Sequence, residues 1–324
     1  MNYYLYRLKF DTAVHFGASD SALSLYTSED HFCADTLFSA LCHTALSASG
    51  QEGLAELCRQ ARCGELLLSD AMPWKGERLY LPKPCASAEG KREVSAGQRK
   101  AVKKLSWIPV DSFAAFSASV HGGEPYDAES ARTEFGVSSE AAKVRIVPGD
   151  DAKPYQVGLF RFAEDAGLWF LAGCATEEQG KQLEALVNSL GLSGIGGELS
   201  SGYGKFSVED LVWLNEPFDD VTEWLRDALM SSSAERYLLL SASLPTEQEL
   251  SELIPTAEYR LIRRGGFVQS GDYAPETRKK TSQMFLAAGS VLDRRFTSVL
   301  YEVGGAGRHP VYRFSGPILL GVKL

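Results

Sequence analysis

The stretch GLSGIGGELSSGYGKF (191–206) holds six glycines and three serines in sixteen residues. Ordering that many glycines is entropically costly, so such a stretch serves tight turns or close approach of the backbone to another group. Its flanks restrict it further. TEEQGKQLEALVNSL (176–190) reads as a helix started by Thr176, with two acids in its first turn and Gly191 as the C′ residue. KFSVEDLVWL after it reads as a strand. A P-loop runs from strand to helix and ends in G-K-[ST]. Here the order is helix to strand. Gly197 and Gly202 have the spacing, but Tyr203 follows, and behind Lys205 stands Phe206 in place of Ser or Thr. G-x-G-x-x-G fails as well, because Leu199 and Ser207 occupy the third glycine positions. A nucleotide cradle is therefore excluded. Two readings stay open: a plain connection, or a flat loop against a large partner. In the second, backbone amides, Ser200 and Ser201 donate to phosphates, Lys205 adds charge and Tyr203 stacks on a base.

The other segments give the plan. YYLYRLKF (3–10) reads as a strand and DTLFSALCHTALSA (35–48) as a helix with Asp35 as its cap. GLAELCRQA (53–61) reads as a second short helix. Residues 81–154 show little regular pattern and read as an inserted arm. VGLFRF (157–162) and GLWFLAGCA (167–175) read as a hairpin. Strand, helix, insertion, hairpin, helix, Gly loop, strand is a ferredoxin-like order. A second, more β-rich unit starts with YLLLSASL (237–244) and TEQELSELI (246–254). The expected fold is α+β, with two tandem ferredoxin-like (RRM-like) domains, 1–215 and 216–324, and a thumb insertion at about 81–154.

The chain of 324 residues carries a net charge of −9. Taken as a whole that disfavours nucleic acid, but the charge is uneven. From Tyr259 to Leu324 there are eleven Lys and Arg against four Asp and Glu, so this segment is +7 and the first 258 residues carry −16. KREVSAGQRKAVKKL (91–105) is a second basic cluster, with Lys91, Arg92, Arg99, Lys100, Lys103 and Lys104. Six scattered cysteines without a C-x-x-C pair read as buried reduced thiols. The N-terminus has no signal-peptide h-region and no run of 18 apolar residues occurs, so a cytoplasmic location and no membrane association are expected.

Catalytic signals are sparse. None of the five histidines pairs at H-x-x-x-H spacing, no Asp/Glu/His cluster marks a metal site, and no G-x-S-x-G elbow is present. No metal or cofactor is expected. His15 and His309 stand near strand ends, where they can meet a phosphate. Arg263 and Arg264 adjoin a Gly-Gly pair, and Arg278, Lys279 and Lys280 form a basic run.

Four stretches together resemble the RAMP superfamily of CRISPR effector proteins: GIGGELSSGYGKF, ADTLFSALCHTAL, RRGGFVQS with KKTSQMFLAAGSVL, and HPVYRFSGPILLGV. In the second, Ala34 takes the place of a serine. Their order resembles the subunit-four family of the type III-A CRISPR Csm effector complex, which caps the guide's 5′ handle. That resemblance implies a non-catalytic subunit that binds the 5′ handle of crRNA and contacts the large polymerase-cyclase subunit and the backbone subunit. It assigns RNA contact to Gly196, Gly197, Ser200, Ser201, Gly202, Tyr203, Gly204 and Lys205, and extends it to Arg263, Arg264, Lys279, Lys280, His309, Arg313 and His15. Lys100, Lys103, Lys104 and Trp107 would belong to the thumb, with Trp107 or Phe113 as an apolar tip that moves a base aside. Glu198-Leu199 departs from the basic pair of the family's loop and removes charge there. Two alternatives remain: a metal-independent endoribonuclease processing precursor crRNA, using His15, His309, Tyr203 or Lys205 as acid and base, and a protein adaptor exploiting the acidic first 258 residues.

Overall fold

A computed structural model describes residues 1–17, 24–86, 96–145, 151–297 and 300–324. Lys91 and Arg92 of the basic cluster lie outside them. The chain opens with β1 (Asn2–Phe10). Next comes α1 (Ala34–Arg62), which breaks at Gly50, where φ is 67°. The break separates the two helical stretches read from the sequence. After β2 (Leu66–Leu68), β3 (Met72–Lys75) and β4 (Arg78–Pro82) come α2 (Ala96–Lys104) and β5 (Trp107–Pro109). Short α3 (Phe113–Val120) and α4 (Ala128–Ala131) lead to a long ribbon of β6 (Gly136–Arg145) and β7 (Lys153–Phe162). Then β8 (Ala166–Cys174), α5 (Glu177–Ser193) and β9 (Phe206–Trp213) complete the first half.

Seven of these strands form one antiparallel sheet in the order β5-β4-β3-β8-β1-β9, with β2 also on β8. All nine residues of β8 are buried. Alternation along it sends Leu168, Phe170 and Ala172 into one core with Leu37, Phe38 and Leu41 of α1 and Leu183, Val187 and Leu190 of α5. Trp169 and Leu171 enter a second core on the other face. The hairpin expected between 157–162 and 167–175 does not form. A strand buried on both faces needs partners along both edges; β8 takes β1 on one side and β2 and β3 on the other, so β7 pairs with β6 instead.

Gly191 also departs from expectation. Thr176 starts α5 as read, in a capping box with Gln179 that the structure adds, but the helix runs on to Ser193 and ends at Gly194, φ 93°. Gly191 lies inside it, and the position needs glycine because a Cβ there would stand 2.3 Å from the Phe206 carbonyl oxygen. The insertion is more integrated than an arm: β4 and β5 extend the main sheet, and Phe113 is buried beside Phe116 and Trp224. Phe113 is therefore a core residue and not a tip. Cys33, Cys58 and Cys174 are buried free thiols as read, whereas Cys63 is exposed.

The second half starts with α6 (Asp220–Met230) and continues through β10 (Arg236–Leu239), α7 (Glu247–Leu253), β11 (Leu261–Arg264), β12 (Gln283–Leu286) and β13 (Val291–Leu292). It closes with β14 (Tyr301–Glu302), β15 (Tyr312–Arg313) and β16 (Leu319–Val322). Its sheet has the order β13-β10-β16, and a bridge from Glu258 to Val291 adds a further segment beyond β13. That matches only the β3-β8-β1-β9 stretch of the first sheet. The second crossover has no helix among the described residues between β13 and β16. The second core is common to both halves: Leu5, Met72, Trp74 and Trp169 pack with Leu225, Leu238, Leu240, Ile318 and Leu320. Among the described residues no helix is long and apolar enough to cross a membrane.

Asp70, at the break between β2 and β3, joins the halves. Its Oδ1 accepts from the Ala34 amide at the start of α1 (2.8 Å) and from the Ala242 amide after β10 (2.9 Å). Asp70 thus does for α1 what Asp35 was read as doing. The residue flanking the helix is Cys33, and Asp35 sits in the first turn with other partners.

Candidate nucleic-acid interface

Between Gly194 and Lys205 the chain folds back onto the segment after β1. Gly197 N donates to His15 O (2.8 Å), Gly204 N to Ala13 O (2.9 Å) and Lys205 N to Thr12 Oγ1 (3.0 Å). Gly194, Gly196, Gly202 and Gly204 all have positive φ, between 78° and 105°. A Cβ on Gly204 would stand 2.1 Å from Ile195 O. Gly204 is buried, so its assignment as an RNA contact is corrected: it shapes the loop. The amides of Ser201 and Gly202 are engaged by Glu198 O and Leu199 O. The flat, amide-rich platform is thus partly closed on itself. Its outward groups are the exposed Ser200, Ser201 and Lys205, with Gly196, Gly197, Gly202 and Tyr203 half-buried.

His15 lies beneath the loop. The residue is 8% exposed, Nδ1 donates to Gly158 O at 2.7 Å, and Cδ2 would be 2.6 Å from a Cβ on Gly197. That placement makes His15 a support of the loop and corrects its assignment to RNA contact.

Lys143, which the sequence did not single out, completes the site. From β6 its ammonium donates to Glu198 Oε2 (2.5 Å) and to Ser201 Oγ (2.6 Å), and stands 4.8 Å from the Tyr203 ring centroid. Glu198 has φ 61°, the left-handed region that a non-glycine residue seldom takes. The Glu198 charge is thus neutralised by a lysine from another element.

The basic residues of the second half divide. Arg264 donates to Asp35 through Nη2 (2.6 Å) and Nε (3.1 Å), and to Thr36 Oγ1 (3.1 Å). Arg313, 3% exposed, donates to Thr281 O, Gln283 Oε1 and Gly265 O, with Nε 3.7 Å from Asp35. Both guanidiniums are committed to the protein, so their RNA assignment is corrected to a structural one. Burial, with Arg313 and Arg264 nearby and only partly offset by Asp35, lowers the pKa of the half-buried Lys280 ammonium. Arg263 and Lys279 are exposed; Arg263 reaches Ser282 Oγ at 3.4 Å, and Lys279 lies over the Phe267 ring. His309 is exposed, with Nε2 2.9 Å from Ser270 Oγ and its ring against Tyr273.

A cleft of about 600 Å³ opens at the seam of the halves, with Lys83, Lys103, Lys104, Trp107, Ser138, Arg260 and Ile262 in its lining. Lys83 Nζ holds the last carbonyls of α2, those of Val102 and Lys103. Lys100 lies one turn earlier on that exposed helix face. Trp107 is paired into the sheet opposite Pro82, with the His31 ring edge-on at 5.2 Å. It is a wall of the cleft and not the tip of an arm. Burial alone would lower the His31 imidazole, but the Asp30 carboxylate bonded to it, with Asp70 and Glu29 near, raises it overall. Glu29, Asp30 and His31 bring ligand-type atoms within 4.8 Å of one another, a grouping the sequence reading did not single out. Acidic groups often cluster this way without an ion, so the grouping by itself carries no metal assignment.

The profile of the CRISPR Csm4 C-terminal domain matches residues 232–322. Over 326 residues the chain is 36% identical to the CRISPR system Cms protein Csm4 of Mycobacterium tuberculosis (strain ATCC 25618 / H37Rv), covering 99% of this chain and 98% of that protein. The chain belongs to the Csm4 family. The family protein of Streptococcus thermophilus is 27% identical over the full length of both chains. Two solved structures share the fold. The Csm3–Csm4 subcomplex of the type III-A CRISPR-Cas interference complex gives a TM-score of 0.62 at 16% identity, covering 99% of both chains. The Csm1–Csm4 cassette in complex with cA4 gives 0.61 at 18%, covering 100% of this chain and 99% of the other.

Proposed function

We propose that this chain is the non-catalytic guide-binding subunit of a type III-A CRISPR interference complex. In this role it holds the 5′ repeat-derived handle of crRNA and joins the large Csm1-type subunit to the Csm3-type backbone, as part of cytoplasmic antiviral defence. Its two halves, 1–215 and 216–324, then act as two ferredoxin-like units sealed along a common core, with the ribbon of β6 and β7 as the thumb.

One relationship carries this reading. Strand β6 takes part in both basic features: Ser138 lines the cleft that holds Lys103, Lys104 and Arg260, and Lys143 lies against the Gly loop. Five residues of strand span about 17 Å and, by alternation, put Ser138 and Lys143 on opposite faces of the ribbon, so β6 ties cleft and loop together, and a single RNA strand that meets both passes around the ribbon's edge. Exposed cations, hydroxyls and a half-buried tryptophan suit an unpaired strand. The partners follow from the complexes in which the structural relatives were solved. The burial of His15 and its bond to Gly158 O support the non-catalytic reading over acid–base cleavage.

The test is guide binding by the chain assembled with its partner subunits, over a range of salt concentrations in EDTA. Replacing Lys103 and Lys104 with Ala should lower affinity and reduce the slope of log K against log salt by about 1.4 for a single strand. An unchanged slope removes the cleft from the RNA path. Discrete cleavage products that vanish on mutating His309 would replace the scaffold with a nuclease.

A further inference from the structure

The geometry points to Lys143 as the positioning residue of the Gly loop: the thumb ribbon, through this one ammonium, sets the shape the loop presents to the guide. The inference deepens the RNA-binding reading and rests on it for the guide, but not for the loop's shape.

An ammonium has three N–H donors. Two of Lys143's reach Glu198 Oε2 and Ser201 Oγ, and its charge lies over the Tyr203 ring. Its side chain is only 16% exposed, and that of Glu198 21%. Lys143 is therefore occupied and does not itself meet a phosphate. What it does is threefold. It cancels the Glu198 charge, so the loop turns no negative group toward an RNA. It compensates the left-handed backbone at Glu198, a conformation that a non-glycine residue keeps only where its surroundings enforce it. And because Ser201 Oγ accepts from a cation, its own O–H is left to donate, and polarised to do so more strongly. Three loop residues assigned to or adjoining the RNA face are held by one side chain from a strand about 60 residues earlier in sequence.

The experiment uses the full chain for amide exchange and the assembled complex for guide binding, with labelled guide RNA carrying its handle as the probe. K143M/E198Q removes both charges and leaves the net charge unchanged. Amides of residues 196–205 should then exchange about tenfold faster, and guide affinity should fall about tenfold at an unchanged salt slope, the net effect of losing both bonds from that ammonium. K143R, which keeps charge and donors, should stay near wild type in both. Wild-type exchange in K143M/E198Q overturns the positioning role. Faster exchange with wild-type affinity overturns its bearing on the guide. A slope lower by about 0.7 makes Lys143 a phosphate contact instead. If the unaltered complex shows no guide affinity, the RNA reading falls alone, and exchange still decides what sets the loop.

Discussion

Asp35 and Arg264 meet across the seam of the two halves at 2.6 Å, with both side chains at most 14% exposed. Arg313 approaches the same carboxylate, and Asp35 tempers the lowered pKa of Lys280. One acid thus faces three cations. Removing one member of a buried ion cluster leaves the others uncompensated and typically costs about 3–5 kcal/mol. D35A should therefore destabilise the chain by that amount, and by more than R264A, after which Asp35 still has Arg313. Denaturant midpoints at constant slope measure this. An equal or smaller loss in D35A would show that the cations do not depend on that carboxylate.

Asp70 gives a pH signature. Burial, opposed by the Ala242 and Ala34 amides and by His31 and Arg264, raises its carboxyl from 3.8 to about 6. A carboxyl with a raised folded pKa binds its proton more tightly in the native state. Its contribution is full below about 3.8 and is lost as pH rises through about 6, a change of about 3 kcal/mol. D70N, whose amide oxygen can still accept from Ala34 and Ala242, should flatten stability between pH 4 and 6 relative to wild type. The same slope in both proteins would place the titration elsewhere.

Two glycines of the loop separate strain from space. At Gly202, φ is 82° and nothing lies within 4 Å of a Cβ, so G202A should cost only the left-handed penalty, about 1–2 kcal/mol. At Gly204, φ is 78° and the Ile195 carbonyl stands 2.1 Å from that Cβ, so the loop must also move. G204A should lower Tm at least twice as far as G202A. Equal shifts would mean that the contact with Ile195 relaxes freely.

What the sequence revealed was local. The helix start at Thr176, the apolar stripe of α1 and the turn-rich loop each declare themselves within a few residues. The partners of β8 did not, because a fully buried strand carries no mark of which neighbour it takes. Nor did Asp70 or Lys143. One sits in a break between two strands and the other in the weakly patterned GVSSEAAKVR, and both act on residues distant in sequence. Arg264 and Arg313 were misread for a related reason. A cation looks the same in sequence whether it faces solvent or a buried carboxylate, in a pair such as Arg263-Arg264 or alone as Arg313 is.

The pairing of β1 sets a timetable. Tyr4 waits for Ala172 on one edge and Trp213 on the other, and the layer over Leu5 closes only with Ile318 and Leu320. Contacts this remote in sequence make folding slow. While the chain is being synthesised, β1 leaves the ribosome before either partner, with two unpaired edges and an aromatic face bare. A growing chain of this kind is exposed to wrong partners until β16 arrives, and any subunit that recognises the finished seam can engage only a completed copy.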